Sequence, residues 1–220
     1  MGSIVITGAN RGIGLELCRQ LEARGADVIA VCRKRSPELE KLGVRIEDGI
    51  DVSSASSGAE LAKRLTGVEI DTLINNAGIL RGDKLDGMSF EGVAEQLEVN
   101  AIAPLRVTAA LLPLLRKGSK VVITTSRMGS MADNGSGGYY GYRMSKAAVN
   151  AAGVSLARDL APRGIAVALI HPGMVATEMT GRHGIPVEDS VRGYLARLDE
   201  ITLENTGRFW HATTGETLPW

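Results

Sequence analysis

A short β-branched run that breaks into glycine and then opens a helix constrains this chain more than any other feature. Ser3–Thr7 (Ser-Ile-Val-Ile-Thr) reads as a buried strand. Thr7-Gly8-Ala9-Asn10-Arg11-Gly12-Ile13-Gly14 follows, and Ile13, Leu17, Cys18 and Leu21 then recur at helical spacing up to Gly25. The alternation continues. Strands are predicted over residues 27–32, 44–46, 70–75, 120–125, 165–170 and 207–211. Helices are predicted over 36–42, 54–65, 89–99, 101–115, 141–160 and 187–201. Strands alternating with helices imply right-handed βαβ units and an α/β fold on a parallel sheet. The 220 residues show no repeat and no linker, so residues 1–220 read as a single domain.

Charge and cysteine content exclude several classes. Lys plus Arg is 25 and Asp plus Glu is 25, a formal net charge of zero. Nothing in that balance favours nucleic acid or an anionic membrane as partner. Cys18 and Cys32 make neither a disulfide framework nor a zinc motif and read as buried, reduced thiols. No apolar run approaches the roughly 18–20 residues of a membrane span. The ordered pattern begins by Ser3, which leaves no room for a leader, and Ile6 stands where a myristoylation signal needs Ser or Thr. The expected location is cytoplasmic. His171 and His183 have no acid or thiol near them at ligand spacing, so no metal is expected.

The glycine loop has its own chemistry. A helix N-terminus carries unpaired N–H groups and a positive dipole end, which suit a pyrophosphate. Gly8, Gly12 and Gly14 let the backbone turn and approach it, with Asn10, Arg11 and Ile13 beside them. The second strand ends in Val31-Cys32-Arg33-Lys34-Arg35, without the acid that would hold ribose hydroxyls. A guanidinium grips a 2′-phosphate where an acid repels it. Arg33, with Arg11 reaching the same phosphate, therefore favours NADP(H) over NAD(H).

Tyr142 and Lys146 stand four residues apart at the start of the predicted 141–160 helix and so share a face. A cation beside a phenol lowers its pKa, and a tuned phenol can give a proton to a carbonyl or take one from an alcohol. Ser126 ends the preceding strand within reach of the same oxygen. Tyr139 and Arg143 have the same spacing, but arginine does not deprotonate, and Tyr139 reads as loop or pocket wall.

Together these residues resemble the short-chain dehydrogenase/reductase family over nearly the whole chain. Thr7-Gly8-x-x-x-Gly12-x-Gly14 resembles its cofactor loop, and Asp51-Val52 its adenine contact. Asn75-Asn76-Ala77-Gly78 is similar to the segment that steadies the sheet beside the cofactor. Pro172-Gly173-x-Val175-x-Thr177 resembles the nicotinamide-side loop, and Asn100 the helix-bend residue that holds a relay water. The resemblance implies a Rossmann-type, doubly wound, seven-stranded parallel sheet with helices on both faces. It implies hydride transfer with Tyr142 as acid/base, Lys146 on the nicotinamide ribose, Ser126 orienting the substrate oxygen and Asn100 completing the relay. The Ser126–Tyr142 separation exceeds the family's usual spacing, which leaves Ser130 as an alternative to Ser126. The segment after Gly173 is short, so the site is expected to be open. The tail from Gly207 to Trp220 is similar to a subgroup that includes Sniffer-type carbonyl reductases and C-factor-like proteins.

Six of the eight aromatic residues lie in 139–142 or 209–220, either as a wall for a flat carbonyl substrate or as cover for the sheet edge. Ala147, Ala148, Ala151, Ala152 and Gly153 permit close packing on the sheet or on a second copy, and the resemblance implies a homodimer or homotetramer. The function expected is an NADP(H)-dependent carbonyl reductase or alcohol dehydrogenase acting on a small molecule. The alternative is a dinucleotide-binding regulatory protein with little turnover.

Overall fold

The computed structural model describes residues 2–220. Strands are β1 (Ser3–Thr7), β2 (Val28–Val31), β3 (Arg45–Glu47), β4 (Ile70–Asn75), β5 (Leu115–Thr124), β6 (Ala166–His171) and β7 (Phe209–His211). Helices are α1 (Gly12–Ala23), α2 (Pro37–Glu40), α3 (Ser57–Arg64), α4 (Phe90–Leu97), α5 (Ala103–Leu111), α6 (Tyr140–Leu160) and α7 (Val187–Glu200). The seven strands form one parallel sheet in the order β3-β2-β1-β4-β5-β6-β7. The winding reverses between β1 and β4, which opens a crevice beyond their carboxyl ends.

Each central strand sends neighbouring side chains to opposite faces. Ile6, Ala30, Ile74, Val122 and Ala168 face α1 and α7, where Leu17, Leu21, Tyr194 and Leu198 close the layer. Val5, Ile29, Leu73, Val121 and Val167 face α3, α5 and α6, meeting Leu61, Val107, Leu111 and Leu160. Because both faces are covered, these strands are continuous apolar runs rather than alternating ones. Cys18 and Cys32 are free and buried, and burial pushes the Cys18 thiol up to about 12.

Two segments depart from the sequence reading. The helix expected over 101–115 ends at Leu111, a 3₁₀ turn carrying Pro113 follows, and Leu115 already pairs with Ile70. The ladder then shifts register before Lys120 pairs with Thr72, because residues 116–119 bulge through Gly118 at φ 94°. The helices expected over 89–99 and 101–115 are joined by a π-turn, Glu98–Ile102. Phe90–Leu114 is therefore one continuous helical stretch of 25 residues, long and apolar enough by length and composition to cross a membrane, which corrects the expectation that nothing in the chain approaches such a span: the π-turn joins two helices read as separate. Here one side of it packs against the fold: Val93, Asn100, Val107, Thr108 and Leu111 are buried, whereas Phe90, Ile102 and Leu105 stand exposed.

Candidate active site

The loops leaving β1, β4, β5 and β6 meet above the crevice. Thr7 joins two of them, its Oγ1 accepting the N–H groups of Asn76 (3.0 Å) and Ala77 (3.1 Å). The Asn76 amide donates back to the carbonyls of Thr7 (3.1 Å) and Gly8 (3.3 Å). A Cβ at Gly8, where φ is +67°, would stand 2.8 Å from the Ala77 Cα; one at Gly14 would stand 2.2 Å from the Gly8 carbonyl oxygen. Neither position admits a side chain, and the turn stays tight against the α1 N-terminus. Arg11 is extended and makes no capping bond, and no acid stands in the first turn, so the N–H groups there have no side-chain acceptor. Gly12 faces Thr177 on the opposite wall, 3.4 Å from the position of its Cβ.

Asn10 fixes the loop after β2: its amide donates to the Lys34 carbonyl (2.9 Å) and its own carbonyl accepts from Ser36 Oγ (2.8 Å). Arg33 projects beside this loop, mostly exposed, with a guanidinium nitrogen 3.9 Å from Asp51 Oδ2. Asp51 is held below the usual carboxylate range chiefly by the Ser53 hydroxyl. Val52 and Ala77 line one narrow void with Thr7 and Val99. Arg11 turns the other way and forms an ion pair with Glu178, just past Thr177. The two cations that the sequence reading brings to one phosphate thus lie against different acids on opposite sides of the crevice.

Ser126 is the side chain whose hydroxyl bears on the buried Tyr142 phenol. Ser126 also caps a 3₁₀ turn by accepting the Met128 N–H (3.2 Å). The Ser130 hydroxyl instead accepts the Asp133 N–H (3.1 Å). Lys146 Nζ donates to the Thr124 carbonyl (3.0 Å) and lies 5.7 Å from the centre of the Tyr142 ring. Burial dominates both groups. It pushes the Tyr142 phenol up to about 12, against a smaller lowering by Ser126, and drives Lys146 down to about 8. The phenol therefore stands above its ordinary value, against the expected fall: desolvation of the phenolate is the largest influence, and Ser126 opposes it.

Asn100 lies in the π-turn, buried. Its Oδ1 accepts the Ile79 N–H (2.8 Å), and its Nδ2 donates to the Ile79 carbonyl (2.9 Å) and to Ser145 Oγ (3.0 Å). A Cβ on Gly78 would lie 3.2 Å from Asn100 Oδ1 and 3.8 Å from Lys146 Nζ, which brings these three residues together. On the far wall, the Pro172 carbonyl accepts from buried Ser190 (2.7 Å), and Gly173 turns at φ 91°. The Val175 carbonyl accepts from Thr180 (2.6 Å) and the Thr177 N–H (2.8 Å). No group of acids, thiols and imidazoles suited to a metal occurs among the described residues.

Other aromatic positions divide. Phe209 is fully buried and stacks on Trp220 at 5.4 Å. Trp220 lines a groove with Val154, Ala157 and Gly207, far along α6 from Tyr142, so this end of the chain covers the sheet edge. Tyr139 stays near the mouth beside Gly82, and Arg143 binds the Gly138 carbonyl (3.1 Å) and Ser136 Oγ (2.9 Å). Sequence reasoning missed Asp83, Gln96 and Glu178. All three act through backbone groups or ion pairs across large sequence separations, and neither spacing nor periodicity marks them.

The comparisons agree with this architecture. The short chain dehydrogenase family model matches residues 3–185. A 1-hydroxy-2-glutathionyl-2-methyl-3-butene dehydrogenase of Rhodococcus sp. (strain AD45) is 41% identical, with 100% of both chains covered. The carbonyl reductase Sniffer of D. melanogaster superposes with a TM-score of 0.92 at 29% identity, covering 100% of both chains. NADPH-bound carbonyl reductase from chicken fatty liver superposes with a TM-score of 0.89 at 29% identity, covering 100% of this chain and 99% of that one. The motifs, the sheet order and these matches coincide along the sequence, and the chain belongs to the short-chain dehydrogenase family.

Proposed function

We propose that this protein is an NADP(H)-dependent oxidoreductase that moves a hydride between the nicotinamide and a carbonyl or secondary alcohol. One observation carries the reading: a buried Tyr142 hydroxyl, with Ser126 and Lys146 beside it, stands at the crevice that the glycine loop borders. Its fit to a dinucleotide rests on the tight turn at Gly8 and Gly14, where a Cβ would clash with Ala77 and with the Gly8 carbonyl, and on the uncapped α1 N-terminus. Gly12, Ile13, Asn76, Ala77 and Gly78 would line the pyrophosphate and ribose side, with Asp51 and Val52 at the adenine. Arg33 would grip the 2′-phosphate, and Pro172, Gly173, Val175 and Thr177 would form the nicotinamide wall. The NADPH-bound relative supports the same cofactor.

When bound, the dinucleotide supplies or receives the hydride. Tyr142 starts protonated, because burial holds its phenol up to about 12, and so can donate to a carbonyl oxygen. Ser126 donates a hydrogen bond to that oxygen as negative charge builds. The Lys146 ammonium offsets the phenolate that Tyr142 becomes, and the Asn100 segment joins Lys146 to the path that returns the proton. Met131, Tyr139, Met174 and Met179 expose apolar surface on the loops around the mouth, which suits a bulky or aromatic carbonyl. A homo-oligomer fits the small residues Ala148 and Ala151 on the exposed side of α6, whereas Gly153 faces inward, where a Cβ would meet Leu169 at 2.7 Å.

The test is NADPH and NADH consumption over aldehydes, ketones and diketones, with Tyr142→Phe alongside. NADPH-dependent turnover, weaker with NADH and lost in the variant, is expected. Tight cofactor binding without turnover on any carbonyl would overturn the reading in favour of a regulatory dinucleotide binder.

A further inference from the structure

The segment that leaves β4 passes in front of Lys146 and is fastened at every second residue. Asn100 holds both backbone groups of Ile79, and fully buried Gln96 accepts the Arg81 N–H at 2.9 Å. At Asp83 the fastening crosses to α6. One carboxylate oxygen accepts the Tyr140 N–H, the other accepts the Gly141 N–H at 3.0 Å, and the Asp83 carbonyl accepts the Tyr139 N–H at 3.1 Å. These are N–H groups that a helix start leaves without internal partners. α6 has no cap of its own, since Tyr139 makes no side-chain capping bond.

The turn that Asp83 holds is strained. Gly137, Gly138 and Tyr139 lie in succession at φ 63°, 64° and 54°. Glycine adopts that region freely, whereas a tyrosine there needs surrounding structure to keep it. Gly141 is wedged as well: a Cβ would meet Gln96 Nε2 at 2.6 Å and the Val93 Cα at 3.0 Å. Tyr142 is the next residue along.

We propose that Asp83 is a positioning residue for proton transfer: its carboxylate holds the left-handed turn and the first turn of α6, and so keeps the Tyr142 hydroxyl in place beside Ser126 and Lys146. The proposal rests on the reading of Tyr142 as the acid. A displacement of about an ångström at a reacting group costs on the order of 100-fold in rate. The experiment compares Asp83→Ala, Asp83→Asn and the double variant Asp83→Ala/Tyr139→Gly with wild type. It measures kcat and KM for carbonyl reduction, NADPH affinity by fluorescence, and amide exchange at Tyr140 and Gly141.

Asp83→Ala should lower kcat by about 10- to 100-fold while NADPH affinity stays within about twofold of wild type, with faster exchange at both amides. Asp83→Asn, which keeps one acceptor, should fall between. The double variant should recover part of kcat, because glycine needs no support in the left-handed region. Wild-type kcat in Asp83→Ala overturns the proposal; so does a parallel loss of kcat and NADPH affinity that Tyr139→Gly does not relieve. If wild type itself binds NADPH and reduces no carbonyl, the functional reading fails separately. Exchange then decides the clamp: unchanged protection at Tyr140 and Gly141 overturns it, and faster exchange sustains it.

Discussion

Acid destabilises this protein through His171. The residue closes β6 and hands the chain to Pro172 on the wall of the crevice. Its ring meets His211 edge-on at 5.1 Å, and its Nδ1 is buried without a hydrogen-bond partner. Burial first, then His211, Arg127 and Lys146, push it down to about 3 from an ordinary 6.5. Below 6.5 the unfolded chain takes a proton that the folded one refuses, so stability falls as pH drops from about 6.5 toward 3. By about pH 4.5 the imbalance amounts to roughly two decades of proton affinity, about 3 kcal/mol at about 1.4 kcal/mol per decade. That is a large part of the roughly 5–15 kcal/mol that holds a domain together. Urea unfolding of wild type and His171→Gln near pH 7.5 and pH 4.5 reads the difference directly. Wild type should lose about 3 kcal/mol more than the variant over that interval. The subtraction removes the carboxylates and leaves His211, which its own burial and Arg127 lower and Glu216 raises. Equal losses in the two proteins would refute the argument.

Two further perturbations probe the crevice. Gly14→Ala drives a methyl to 2.2 Å from the Gly8 carbonyl and should cost about 1–3 kcal/mol of overpacking, read as a lower Tm and weakened NADPH binding. Arg33→Ala removes a mostly exposed guanidinium and should weaken NADPH by roughly 10-fold, the low end for a charge-assisted contact, with NADH unchanged by fluorescence titration.

The strands were legible because each is an apolar run closed by a turn signal, whereas their order in the sheet was not, because pairing between distant strands leaves no mark on local pattern. Gly8, Gly14, Tyr142 and Lys146 were legible for a related reason: local spacing puts each beside its partner. The spacing of Ser126 and Tyr142 left Ser130 open, and only the backbone of the following loop separates them, by turning Ser130 onto Asp133. The sign of the Tyr142 shift was not legible, because burial is a property of the assembled core rather than of the Tyr–Lys interval. Residues 115–119 misled because Leu115 continues a helical pattern, yet a register shift against β4 draws it into the sheet. Asp83 lies 57 residues from Tyr140, which it caps, and Arg11 lies 167 from Glu178. Pairings of that range exist only once the loops above the sheet have converged.

The 25-residue helical stretch Phe90–Leu114 has a consequence for the order in which the protein is made. The surface that covers one side of it belongs to α6, whose last residue is Leu160. A ribosome adding about 5–20 residues per second emits that cover some 2–9 seconds after the stretch itself. For that interval the α4 and π-turn part of a segment apolar enough to pass for a bilayer span stands without its α6 cover on the nascent chain. Chaperones, and any machinery that sorts membrane helices, meet it before the sheet does.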